Sequence, residues 1–201
     1  MTPERSEKLL RVLHKRQSGL AVVMENIDDP RNVTAVMRSC DAVGIQDVYI
    51  LRNQPSREKK WSYKSGTSAA KWLSIHHYTD TAECIAQLQL RYSNILTTQL
   101  STESVSLYEL DLTESTVFVF GNEKFGVSDA MRKAATGNFL IPQVGIIQSL
   151  NISVACAVTI YEAFRQRSAA GMYQTESLPS ERIQHLRNEW GFNDQESNQS
   201  S

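Results

Sequence analysis

Three short stretches of this chain gather side chains able to do chemistry. One is the loop Gly121-Asn122-Glu123-x2-Gly126, directly behind the apolar run 117–120. The second is Gln148-Ser149-Leu150-Asn151, which follows Pro142 and the turn at Gly145. The third lies behind Asp29-Pro30, where Asn32 stands close to Arg31 and Arg38. A carboxylate, two amides and a hydroxyl can order a small polar site, and a guanidinium presents a planar fork of donors suited to phosphate. The first two stretches leave the ends of short apolar strands, and in open α/β sheets ligands settle at such carboxyl ends. Two common nucleotide chemistries lose their support: the lysine expected after the second glycine of a phosphate loop is Val127, and no G-x-G-x-x-G occurs.

Helices and strands must bring these stretches together. Residues 3–17 read as a helix, with Leu9, Leu10, Val12 and Leu13 on one side and Arg5, Lys8, Arg11, Lys15 and Arg16 on the other. Few acids interrupt that face, so Arg11 and Arg16 are expected to meet RNA. Residues 20–24 form a first strand, and Asp29 caps a helix whose first position is Pro30 and whose end is Gly44. Val33, Val36, Met37 and Cys40 bury one side of it, while Arg31 and Arg38 share a polar one. Further strands are expected over 47–51, 71–78, 94–98, 117–120 and 138–141, and a helix over 82–91. Ser149 or Asn151 opens another helix, on which Val154, Ala157, Val158 and Tyr161 recur at helical spacing and should bury one face. Between 52 and 64, basic residues including Lys64 are interleaved with Trp61 and Tyr63, a mixture that suits nucleic acid. A short helix over 179–190 precedes a polar, mobile end. Alternation of strand and helix implies an α/β fold, a mainly parallel sheet with helices on both faces. The expected organisation is a basic N-terminal helix (1–19), one catalytic domain (20–173) and a partly mobile C-terminal extension (174–201).

Composition sets the outer limits. With 201 residues, 41% of them hydrophobic, the chain can bury one ordinary α/β core. No apolar run resembles a signal peptide or approaches a membrane span, so a cytoplasmic protein without membrane contact is expected. Cys40, Cys84 and Cys156 are scattered and lack histidine at ligand spacing, and adjacent His76 and His77 would point to opposite faces of a strand. No structural metal is expected. The net charge of −1 conceals a split: residues 1–75 hold 13 Lys and Arg against 8 Asp and Glu, and the remainder 8 against 14. Screening confines each charge to about 10 Å at moderate salt, so the basic portion can still gather phosphate.

Asn32-x5-Arg38, the Gly121 loop, and Ile141-Pro142 followed by Gln148-Ser149-Leu150-Asn151-x-Ser153-x-Ala155 resemble the three motifs of SPOUT-class RNA methyltransferases, in their TrmH-like ribose 2′-O-methylating branch. Order and spacing agree across roughly residues 1–173. The segment 11–27 and Arg165-Gln166-Arg167 with Ala170-Gly171-Met172-Tyr173 are most similar to the members acting on guanosine 18 of tRNA. The resemblance implies a C-terminal trefoil knot and S-adenosyl-L-methionine as cofactor, held by Thr98, Gly121, Ile141 and Leu150. It implies a reacting centre of Arg38, Asn32, Glu123, Ser149 and Asn151. Arg11, Arg16, Arg31, Lys64, Arg165 and Arg167 would bind tRNA, and a homodimer would build that site across two subunits. Ribosomal RNA is the alternative substrate, although such relatives often carry a separate N-terminal domain for which the residues before Ile27 leave no room. A non-catalytic RNA-binding module of the same fold is the other alternative, and the intact reacting set argues against it.

Overall fold

The computed structural model describes residues 1–54, 69–98, 104–147 and 149–192. Its most apolar runs form the middle of one sheet. Gln17–Glu25 is β1, Ile45–Leu51 is β2 and Thr116–Phe120 is β6, and nearly every residue in them is buried. Ser74–Tyr78 (β3), Asn94–Thr98 (β4), Val105–Ser106 (β5) and Gly137–Leu140 (β7) complete a seven-stranded sheet in the order β3-β2-β1-β6-β4-β7-β5. Every pairing is parallel.

Parallel neighbours need crossovers, and helices cover both faces as a result. On one side Val22, Met24 and Phe118 pack with Val33 and Met37 of α2 (Pro30–Ala42) and with Cys156 and Ile160 of α5 (Ile152–Ala169). On the other, Val23 and Val119 pack with Cys84 and Leu88 of α3 (Thr81–Arg91) and Met131 of α4 (Asp129–Ala134). A third, smaller cluster joins the two ends of the chain. Leu9 and Leu13 of α1 (Pro3–His14) meet Leu178, Trp190 and Phe192 around α6 (Ser180–Glu189). The trefoil knot implied by the resemblance is a property of threading, which strand order does not itself display.

The structure redraws several expected elements. The first helix stops at His14 rather than reaching 17, because the Gln17 amide already donates to the Gly44 carbonyl at 2.8 Å and β1 has begun. A 3-10 turn over Ala70–Trp72 replaces the start of the strand expected from 71. Strand β5 and helix α4 are absent from the expected elements, being too short to show a period. The expected buried face of α5 is also corrected. Val154 and Tyr161 are 47% and 50% exposed, and Ile152, Cys156, Ile160 and Ala163 form the buried stripe instead. The helix is apolar on more than one side, so spacing alone cannot select the inner one. The expectations for 55–64, Gln148 and 193–201 lie outside the described residues.

Candidate active site

The carboxyl ends of β4, β6 and β7 open onto a cavity of about 520 Å³. Thr98 ends β4, Phe120 ends β6, and Ile141 lies just past β7. Ser149, Leu150 and Asn151, leading into α5, also line the cavity. All four positions expected to hold a cofactor therefore line one cavity, together with Glu123. Its volume and largely apolar wall are those of a small-molecule site. Ile141 is outside the strand and Leu150 precedes the helix, so neither is committed to regular secondary structure.

The Gly121 loop is held rigidly. A Cβ on Gly121 would run into the backbone of Gly126 and Val127, so only glycine permits this close approach. Gly126 sits at φ +69°, and its amide donates to the Asn122 carbonyl at 2.8 Å. The Asn122 side chain donates to the Asn26 carbonyl at 2.7 Å and accepts from the Lys124 amide at 2.9 Å. Asn26, itself at φ 52°, donates to Asn53 at 2.7 Å and so ties the loop to the ends of β1 and β2. Nearby, Glu25 accepts from the Ser128 amide at 2.9 Å, fixing the entry to α4.

That loop presents Glu123 to the first turn of α2. Asn32 donates from Nδ2 to Glu123 Oε1 at 2.8 Å, and Asn151 Nδ2 donates to Asn32 Oδ1 at 3.2 Å. Asn151 Oδ1 accepts from the Ser153 amide at 2.9 Å, which makes Asn151, not Ser149, the cap of α5. Residues 91 and 119 positions apart in sequence are thereby joined into one relay. Asn32 is buried behind it, so its amide is oriented from both sides.

Arg38 is not brought into this group. It lies six residues along α2 from Asn32, or about 9 Å at the helical rise. Its exposed side chain borders a separate hollow of about 140 Å³ with Asp41, Ala69 and Trp72.

Among the expected RNA contacts, Arg11 is exposed on α1. Arg31 is exposed and paired with Asp29 at 2.8 Å, and that hydrogen bond holds the Asp29 carboxyl below its ordinary value. Arg165 is exposed and paired with Glu162 at 2.7 Å. Lys64 lies outside the described residues. Two expectations are overturned. Arg16 is 0% exposed, with its guanidinium on the Asp41 carboxylate at 2.5 Å, the Ile45 carbonyl at 3.0 Å and the Trp72 carbonyl at 3.3 Å. Because α1 ends before it, Arg16 leaves the helix's charged face and turns inward; burial lowers its pKa although Asp41 pulls the other way. Arg167 is 1% exposed and donates to the carbonyls of Gly19, Leu112 and Glu114 at 2.7, 2.9 and 2.6 Å. It shares the buried stripe of α5 with Ile160 and Ala163, so it braces the fold rather than facing RNA.

Sequence reasoning missed Arg132, which lines the cavity, donates to the Val127 carbonyl at 2.7 Å and pairs with Asp129. A single arginine in a short helix carries no signal for it. Asn122 is visible as part of its motif, but its bracing of the loop is not.

An all-parallel sheet, a ligand-sized cavity at its carboxyl edge and an amide–carboxylate relay on the rim define an α/β domain with room for a small molecule beside a polar rim. The chain belongs to the SpoU rRNA Methylase family, whose sequence pattern matches residues 19–161, and the pattern for the C-terminal part of SpoU rRNA methylases matches 165–197. Among its relatives is the tRNA (guanosine(18)-2'-O)-methyltransferase of Aquifex aeolicus, 37% identical over 193 residues that cover 95% of this chain and 90% of the relative. The solved A. aeolicus TrmH/SpoU tRNA modifying enzyme superposes with a TM-score of 0.84 at 36% identity, covering 94% of this chain and 95% of that one. The SpoU methyltransferase AviRb from Streptomyces viridochromogenes, solved in complex with the cofactor AdoMet, shares the fold at TM-score 0.67 and 24% identity, covering 78% of this chain and 64% of that one.

Proposed function

We propose that this protein methylates a ribose 2′-hydroxyl of tRNA, at guanosine 18 of the D-loop, with S-adenosyl-L-methionine as methyl donor. The observation that carries the proposal is the meeting of the cavity at Thr98, Gly121, Ile141 and Leu150 with the Asn32–Glu123–Asn151 relay on its rim. The name of the A. aeolicus relative supports the substrate, and the AdoMet complex of AviRb supports the donor.

The cavity fits that donor in size and in its mixture of apolar wall and loop backbone. Once bound, the donor supplies a methyl group on a sulfonium sulfur, and the acceptor oxygen takes this methyl as the hydroxyl loses its proton. Ile141 and Leu150 exclude water with their side chains while their peptides hold the ligand. Asn32 fixes Glu123, and with Ser149 and Asn151 the carboxylate orders the acceptor ribose. A guanidinium offers donors and no acceptor, so Arg38 does not remove the proton. It clamps the phosphate beside the reacting ribose, aligns the hydroxyl and stabilises developing negative charge, and the phosphate takes the proton.

Arg38 stands outside the cavity of its own chain, so a homodimer delivers it to the cavity of the partner subunit. Apolar surface for such an interface is present: Val154 and Tyr161 on α5 are about half exposed, and Val144 and Ile146 beside the cavity are fully so. Arg11, Arg31, Lys64 and Arg165 gather the tRNA phosphates, in the cytoplasm where that substrate resides. No helix among the described residues is long and apolar enough to cross a membrane, and none of their His, Cys, Asp and Glu groups could hold a metal. Calorimetry with S-adenosyl-L-methionine tests the cavity. Failure of the cofactor to bind would return the chain to a non-catalytic RNA-binding role.

A further inference from the structure

A second hollow, of about 450 Å³, lies between α1 and the body of the protein. Arg5, Lys8, Leu9 and Val12 line it from α1, and Trp72, Trp190 and Asp41 from the other side. Asp41 and Trp72 also border the smaller hollow that holds Arg38. The two hollows adjoin across these residues and together form a groove that reaches from α1 to the arginine assigned above to the phosphate clamp.

The floor of this groove is aromatic. Trp72 and Trp190 meet edge to face, 5.3 Å between centroids at 77°. Arg16 lies beneath, 5.4 Å from the Trp190 ring centroid, and braces the Trp72 carbonyl. The same guanidinium pairs with Asp41, so the one acid among the described residues that line the groove is neutralised from inside. The rim is cationic. Arg5, Lys8 and Arg38 border the groove, and the Lys71 ammonium sits 4.6 Å over the Trp72 ring. Partly exposed indole surface on Trp72, ringed by positive charge, is complementary to a ligand that carries planar rings and phosphates together. An apolar peptide would leave the cations unmatched, and an acidic one would leave the indoles unused.

We infer that the groove binds a nucleotide of the substrate RNA that flanks the methylated ribose, its base against Trp72 and its phosphate on Arg5 and Lys8. The inference rests on the RNA-methylating function proposed above and assigns that substrate a second contact away from the cavity. It also accounts for the buried Arg16, which becomes a positioning residue that holds both tryptophans and silences Asp41.

The test is Val12→Trp, which fills the groove from α1 without altering charge. Full-length variant and wild type are compared for unmodified tRNA binding, for methylation kinetics and for cofactor affinity. The expected result is tRNA binding weakened about tenfold, with KM for tRNA raised in step and both kcat at saturating tRNA and cofactor affinity unchanged. Binding within about twofold of wild type by a folded variant would overturn the inference. A change of oligomeric state with tRNA affinity retained would also overturn it, since the groove would then be a protein interface. Should the variant fail to fold, wild-type protein is photocrosslinked to tRNA carrying 4-thiouridine. Crosslinks within residues 5–12 or at Trp72 support the groove, and crosslinks confined to other peptides refute it. A wild-type protein that binds tRNA without methylating any RNA would instead count against the proposed function, and the crosslinks would still decide the groove.

Discussion

Asn32→Ala cuts the relay at its middle. Asn32 donates to the Glu123 carboxylate at 2.8 Å and accepts from Asn151 at 3.2 Å, so the truncation removes both bonds at once. A hydrogen bond to a charged group is worth about 2 kcal/mol net and a neutral one about 1 kcal/mol, together a ceiling of about a hundredfold in any rate that depends on this geometry. Little of it should appear as lost cofactor affinity, because Asn32 stands behind the rim and does not line the cavity. The assay is single-turnover methylation of unmodified tRNA at saturating cofactor, with cofactor affinity measured separately by calorimetry. The expected outcome is a rate lowered by one to two orders of magnitude and nearly unchanged cofactor binding. Asn32→Asp should be at least as harmful, since it keeps the shape but sets a carboxylate against Glu123. Turnover by Asn32→Ala within about twofold of wild type would refute an ordering role for the relay.

Other perturbations separate the remaining roles. Arg38→Ala should abolish most turnover with cofactor affinity intact, and Arg38→Lys should recover little, because a point charge cannot reproduce a bidentate fork; near-normal methylation by the lysine variant would refute the clamp. Arg11→Ala should reduce the salt slope of tRNA binding by about one with the melting midpoint unchanged, whereas Arg16→Ala should destabilise the fold by about 3 kcal/mol. A lowered slope with an unchanged melting midpoint in the Arg16 variant would restore it as a phosphate contact. Asp47 is buried among His76 at 2.7 Å, Arg91 at 3.2 Å and Arg182 at 3.4 Å. Burial pushes its pKa up, but these partners outweigh burial and hold it below the ordinary value. A depressed folded pKa means stability that is present above the unfolded pKa of about 3.9 and is lost as pH falls through the folded one. Asp47→Asn should therefore lower the melting midpoint at neutral pH and flatten its fall in acid; parallel acid profiles for variant and wild type would refute this.

The parts of the site legible in the sequence are those carried by local rules. Asp29 and Pro30 announce the start of α2, the apolar run before Gly121 announces β6, and Asn151 is a good cap. These rules act over a few residues, and the strands they mark deliver Thr98, Gly121 and Ile141 to one sheet edge. What is not legible depends on where an element stops or which way it turns. Arg16 belongs to the basic face of an idealised helix, but α1 ends two residues earlier and the side chain goes inward. Arg167 follows the inner stripe of α5, a helix whose two apolar sides cannot be ranked without knowing what packs on each. Charge normally signals surface, and on that rule Arg16 reads as an RNA contact, while the resemblance implies the same of Arg167. Their burial is possible only because carbonyls and one carboxylate converge on them from segments far away in sequence. The separation of Arg38 from the relay is equally hidden, since one helix carries both Asn32 and Arg38 and spacing says nothing of where the cavity opens.

Incubation of the purified protein with unmodified tRNA and S-adenosyl-L-methionine labelled in its methyl group, followed by mapping of the methylated nucleotide, tests the central claim most directly. The account predicts label on the ribose 2′-oxygen of guanosine 18 in the D-loop. Label confined to a base, or methylation of ribosomal RNA with tRNA left unmodified, would contradict it.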